Sequence, residues 1–244
     1  MLDLAAGTGK LTRQLLETGA TLVAVEPAAA MRAQLAQAVT GETVGGVGPG
    51  RAAGRSGPSG PGAGRGPIRP GPGVLVVGGT AEAIPLRGGA LDAVTVGQAF
   101  HWFDAARAVA ELGRVLRPGG RLGLIWNVRD ESRPWVAEIT AILDRHAGDA
   151  PRHRDGRWRA AFDAADDFTP LTRATFSHVH QLDRAAVLDR FASISFIAAL
   201  PKADRARVLD EIDRVLAAEP SLAGRDRIGL PYRTDLWWCE RRGV

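Results

Sequence analysis

The hydrophobic pattern changes period several times along the chain. Leu2 to Ala5 is an apolar run around Asp3, closed by Gly7, Thr8 and Gly9, after which Leu11, Leu15 and Leu16 fall near helical spacing up to Gly19. A short apolar run, a glycine turn and a 3.6-residue period predict strand, turn and helix in that order. Leu22 to Val25 repeats the run and ends in Glu26 and Pro27, and Ala28 to Val39 then places Met31, Leu35 and Val39 four residues apart. This predicts a second strand and helix.

From Val44 to Gly73 the pattern collapses into Gly, Pro, Ala, Ser and Arg, a composition with too little apolar surface to offset the entropy of ordering. The expectation is a flexible insertion. Val74 to Val77 and Leu91 to Val96 predict two further strands. Between 105 and 116, Val109, Leu112, Val115 and Leu116 share a helical face, Arg117 to Gly120 predicts its end, and Leu122 to Val128 predicts a fifth strand. Continuous apolar strands alternating with amphipathic helices predict a parallel sheet covered on both faces, an α/β doubly wound, Rossmann-like architecture. The remainder predicts a helix around Trp135 to His146, a strand over Ala174 to Leu182, and an amphipathic helix after Pro201. A last strand is predicted over Ile228 to Trp238, where Trp237 and Trp238 read as core or sheet-face residues.

Composition narrows the class. At 45% hydrophobic and 24% charged, the 244 residues match an ordinary globular protein. Cys239 stands alone, which excludes an intrachain disulfide or a cysteine-rich zinc site and points to a reducing cytoplasm, with no metal centre. No apolar run approaches the roughly 20 residues that span a bilayer, so no membrane partner is expected. A sequence pI near 10.1 invites a nucleic-acid reading, but the formal charge is only +4, and Arg51, Arg55, Arg65 and Arg69 concentrate it in the insertion, which speaks against a basic groove on the folded surface.

The candidate chemistry lies at the first two strand ends. A glycine turn there brings backbone close to a ligand, and Glu26 at the end of the second strand can accept both hydroxyls of a ribose. A dinucleotide site would need a third glycine where this chain has Thr12, so a nicotinamide cofactor is disfavoured. Asp3 agrees, since a carboxylate beside the turn suits an ammonium group and repels a pyrophosphate; a generic tight turn with a solvated acid is the competing reading.

The series LDLAAGTGKLT from Leu2, VAVEP from Val23, GTAEAIPL from Gly79, LDAVTVGQAFHWFD from Leu91 and LRPGGRLGLIWN from Leu116 resembles the ordered motifs of class I S-adenosylmethionine-dependent methyltransferases. It is most similar to the small-molecule branch that includes trans-aconitate-type enzymes. The resemblance implies S-adenosylmethionine as cofactor, a mostly parallel sheet with an antiparallel C-terminal strand, and a small-molecule acceptor. Asp3, Ala5, Gly7 and Gly9 correspond to the loop holding the methionine part, with Ala5 standing where the family often has glycine. Glu26 corresponds to the ribose acid, Thr80 and Ala81 to the segment along adenine, and Gln98 to the edge where cofactor and substrate meet.

On the acceptor side the candidates are His101, Trp102, Asn127 and Arg129. His101 is read as a positioning residue rather than a proton acceptor, and Arg129 as either a carboxylate clamp or a solvated loop residue. The organisation expected is 1–43 and 74–130 as the two halves of the cofactor-binding domain, 44–73 as the insertion, and 131–244 completing the sheet and the substrate side. Similar enzymes carry one or two helices before the first motif, so the chain is expected to be N-terminally truncated, either because the true start lies upstream of Met1 or because the protein is a truncated relative. The alternative to an active enzyme is a non-catalytic cofactor-binding relative.

Overall fold

A computed structural model of the protein describes residues 1–40, 73–148 and 151–243. The expected insertion at 44–73 lies outside the described residues except for Gly73. In chain order the elements are β1 (Leu2–Leu4), α1 (Lys10–Leu16), β2 (Leu22–Val25), α2 (Ala29–Thr40), β3 (Val74–Val77), β4 (Leu91–Gly97) and α3 (Ala105–Val115). There follow β5 (Leu116–Arg129), α4 (Pro134–Asp144), α5 (Ala160–Asp163), β6 (Thr172–Leu182), α6 (Arg184–Ala192), α7 (Ser195–Ala198), α8 (Lys202–Ala218) and β7 (Ile228–Glu240).

These strands form one seven-stranded sheet in the order β3-β2-β1-β4-β5-β7-β6. β3, β2, β1, β4 and β5 are parallel, and β7 runs antiparallel between β5 and β6. The chain winds outward from β1 in one direction and then from β4 in the other, so the strand order reverses between β1 and β4. A crevice at the carboxyl ends of the strands is the physical consequence of such a reversal.

β1 is buried at all three positions and β2 at three of four, as expected of strands covered on both faces. One apolar core, built on Leu2, Val94, Val96, Phe100, Leu112 and Trp126, joins the sheet to α3 and the segment around Trp158. Trp237 packs against this core, whereas Trp238 lies on an exposed part of the sheet face. A second core, on Ile139, Leu143, Phe191, Ile212 and Leu230, packs α4, α6 and α8 over the start of β7. Cys239 is fully buried, and burial pushes its thiol up to about 12, which makes it an inert core residue.

The largest shift of a boundary from the sequence pattern is at the start of β5, and α5, α6 and α7 were not predicted. Arg117 to Gly120 was expected to separate helix from strand, yet β5 begins at Leu116. Gly119 donates to the Arg241 carbonyl, and Arg241 donates back to Gly120, both at 2.8 Å. Gly119 takes a φ of 73°, and a Cβ on Gly120 would lie 2.8 Å from the Arg117 carbonyl oxygen. The two glycines let the turn remain paired with the chain beyond β7.

Candidate active site

The β1–α1 turn coils because Ala5, Gly7 and Gly9 all take positive φ, at 56°, 57° and 83°. Gly9 caps α1, and an added Cβ there would come within 2.5 Å of Leu35 Cδ1, so glycine is needed for α2 to pack against the turn. Gly7 differs: an added Cβ meets nothing within 4 Å, so its backbone faces open space that a ligand can fill. Ala5 carries a Cβ in the left-handed region, a conformation that costs a non-glycine residue about 1–2 kcal/mol.

Glu26, 5% exposed, follows β2 and holds this turn in place. Its Oε2 accepts the Gly7 amide and its Oε1 accepts the Ala28 amide, both at 2.9 Å. Each carboxylate oxygen keeps a lone pair beyond these bonds, enough to accept a pair of vicinal hydroxyls. The residue thus ties the ends of β1 and β2 together while presenting an acceptor to the crevice.

Asp3 sits within β1, 1% exposed, and its Oδ2 accepts the Thr12 hydroxyl at 2.6 Å. Burial raises its pKa to about 6, against the opposing pull of the Thr12 bond. Thr12, read from sequence as the glycine missing from a dinucleotide site, is itself fully buried and gives Asp3 its only side-chain donor among the described residues.

The next two strand ends complete the edge. Thr80 and Ala81 follow β3, with Ala81 buried and Thr80 exposed, and Val77 accepts the Glu26 amide at 3.2 Å, which brings that segment beside the Glu26 carboxylate. Gln98 follows β4 with a φ of 60°, a strained backbone for a residue with a long side chain. Its amide donates to the Ile125 carbonyl at 2.8 Å and its Nε2 to the Asn127 carbonyl at 3.1 Å, so β5 holds the strain in place.

His101, Trp102, Asn127 and Arg129 come together with Gln98 around a cavity of about 400 Å³ over the ends of β4 and β5. The four acceptor-side candidates therefore share one space. Trp126 donates its Nε1–H to His101 Nδ1 at 3.2 Å, and burial lowers the His101 pKa to about 4. Trp102 is 58% exposed at the rim. Thr234 donates to Asn127 Oδ1 at 2.6 Å, which orients the amide so that its nitrogen is free for a ligand. Arg129 donates through Nε to Thr140 on α4 at 3.0 Å, and burial pulls its pKa below the ordinary value.

Several lining residues were not singled out from the sequence. Arg190 and Phe196 reach the cavity from α6 and α7, Tyr232 from β7, and Arg152 and Arg154 from the chain after α4. Arg152 and Arg154 both bond Asp144. None of these lies in a motif; Arg190 looks like any solvated helix arginine until α6 docks over β7.

Comparison with known proteins agrees with this architecture. A family model described as a methyltransferase domain matches residues 60–124. The chain is 38% identical over 234 residues to an uncharacterised methyltransferase of Mycobacterium tuberculosis, covering 96% of this chain and 80% of that one. This chain belongs to the class I S-adenosylmethionine-dependent methyltransferases. A methyltransferase-like protein of Schizosaccharomyces pombe is 36% identical over 170 residues, covering 70% of this chain and 66% of its own length. Among solved structures, a candidate type II methyltransferase from Anaeromyxobacter dehalogenans superposes with a TM-score of 0.59 at 22% identity, covering 99% of this chain and 88% of the other. The YcgJ protein of Bacillus subtilis superposes with a TM-score of 0.55 at 18% identity, covering 100% and 92%. These two likenesses concern the fold: the methyltransferase sheet and its helices are shared where sequence has diverged.

Proposed function

We propose that this methyltransferase moves a methyl group from S-adenosylmethionine to a small molecule bound above the ends of β4 and β5. The observation that carries the reading is the bond from Gly7 to Glu26, which sets an open backbone turn against a carboxylate at the reversal of strand order. In this reading Ala5, Gly7 and Gly9 take the methionine part and Asp3 offsets its ammonium charge. Glu26 accepts the ribose hydroxyls, Thr80 and Ala81 lie along the adenine, and Gln98 borders the transferred methyl.

When bound, the cofactor supplies a methyl group already activated by a sulfonium leaving group. The chain's own task is to align the acceptor and exclude water. His101, neutral at pH 7 with Nδ1 occupied, orients the acceptor through its Nε2–H, with Trp102 as a wall and Asn127 and Arg129 as donors. The two halves at 1–43 and 74–130 serve the cofactor, and 131–244 supplies the acceptor side. The described residues contain no helix long and apolar enough to cross a membrane. The lone Cys239 fits a reducing cytoplasm. Calorimetry with S-adenosylmethionine and S-adenosylhomocysteine tests the reading: saturable binding of both is expected, and silence with both overturns it.

A further inference from the structure

The cavity above β4 and β5 is strongly asymmetric in charge. Arg129, Arg152, Arg154 and Arg190 line it against Glu131 and Asp144, and both histidines, His101 and His153, are held neutral by burial. Asp144 is already taken by Arg152 and Arg154. Neither Arg129 nor Arg190 has a carboxylate within ion-pair distance among the described residues: Arg129 bonds only Thr140, and Arg190 lies over the Tyr232 ring at 6.0 Å. A guanidinium stays protonated even when burial opposes it, so the cavity keeps a net positive balance, with Glu131 and Asp144 acting on Arg129 only beyond ion-pair distance.

The Arg129 geometry is selective. Its Nε is spent on Thr140, which fixes the guanidinium plane and leaves the two terminal nitrogens side by side, the arrangement that grips a carboxylate with two parallel bonds. Arg129 lies two residues beyond Asn127 on the same face of β5, so a group held there sits roughly 7 Å farther along the strand. Trp102, Phe196 and Tyr232 add flat aromatic surfaces to the lining, beside aliphatic Val128 and Ile194.

Resting on the methyltransferase reading above, we propose that the acceptor is an aromatic carboxylic acid, anchored by its carboxylate on Arg129 and Arg190 and presenting a different group to the methyl. The carboxylate is a handle: its absence leaves the largely buried Arg129 unpaired, while the exposed Arg190 adds attraction for the anion. Thr140 is a positioning residue for Arg129.

Tryptophan fluorescence titration with 4-hydroxybenzoate, alongside 4-hydroxybenzyl alcohol and succinate, tests the proposal, since Trp102 and Trp126 border the cavity. The aromatic acid should bind roughly tenfold or more tightly than the neutral alcohol and the aliphatic diacid. Arg129→Gln and Arg190→Gln should each weaken it by about tenfold. S-adenosylhomocysteine affinity should stay within about twofold in both variants, because the cofactor residues are separate. Equal binding of the acid and the alcohol overturns the proposal, as does undiminished acid binding in Arg190→Gln, an exposed position where folding is not at stake. If S-adenosylhomocysteine binds and no charge preference appears, only this inference falls. If the acid binds through both arginines while S-adenosylhomocysteine does not bind at all, the methyltransferase reading falls instead and the acid site stands.

Discussion

The indole of Trp126 donates to Nδ1 of His101 at 3.2 Å, and that bond sets the protonation state of the imidazole. An indole can only donate, so Nδ1 must be the bare nitrogen and a neutral ring carries its proton on Nε2. Burial then favours the neutral ring by lowering the pKa to about 4. His101 is consequently a donor at neutral pH and has no free nitrogen with which to accept a proton from the acceptor.

Nitrogen-15 NMR of the imidazole should show the Nε2-protonated neutral tautomer at pH 7 and a titration midpoint near 4. Because the folded pKa lies below the unfolded value of about 6.5, the contribution of His101 to stability is present above that value and is lost as pH falls through about 4. A midpoint above 6 would contradict the geometry. Catalytic rate should show no limb attributable to His101 between pH 5.5 and 8.

Asp3 has the opposite linkage. Its folded pKa is raised from 3.8 to about 6, so its stabilising contribution is complete below 3.8 and is lost as pH rises through about 6. Asp3→Asn should therefore melt higher than the parent at pH 8, by about 1–3 kcal/mol, with the advantage vanishing below pH 4. If Asp3 offsets the cofactor's ammonium, S-adenosylmethionine affinity should rise with pH through 6 in the parent and stay flat in the variant. Parallel melting curves across the range would show that the buried charge has no energetic effect.

Replacing Glu26 should affect both binding and folding. Besides facing the cofactor crevice, the carboxylate accepts the Gly7 and Ala28 amides. Loss of charged acceptors for two amides should cost on the order of 2 kcal/mol in stability, and cofactor affinity should fall by roughly tenfold or more. Thermal melts and calorimetry separate the two effects. Unchanged affinity would remove Glu26 from the site, and an unchanged melt would mean that water replaces its amide bonds.

The turn itself supplies a matched pair of substitutions. Ala5→Gly relieves a Cβ at a φ of 56° and should stabilise the protein by about 1 kcal/mol or less, once the extra freedom of glycine in the unfolded chain is counted. Gly9→Ala meets both a φ of 83° and the Leu35 methyl, so a loss of about 1–3 kcal/mol is expected. Chemical denaturation measures both. Destabilisation by Ala5→Gly would show that the alanine methyl contributes packing that outweighs its strain.

The sequence alone determined the strand and helix order from β1 to α4, the glycine turn, the acid after β2 and the reading of the family, because each is written in local periodicity or in residues close along the chain; α5, α6 and α7 were not predicted. The flexible insertion it expected at 44–73 falls almost wholly outside the described residues. Only tertiary structure decided which nitrogen of His101 is bare, since Trp126 reaches it across 25 residues. The same holds for Glu26, whose partner Gly7 is 19 residues away, and for Asn127, oriented by Thr234 from 107 residues away. Long-range hydrogen bonds and the docking of α4 and α6 over β5 and β7 leave no periodic trace, because a polar side chain bonded to a distant element has the same composition as one bonded to water. Arg190 and Tyr232 were invisible for that reason, and the acceptor cavity they share with Arg129 exists only once the sheet has brought β5 and β7 side by side.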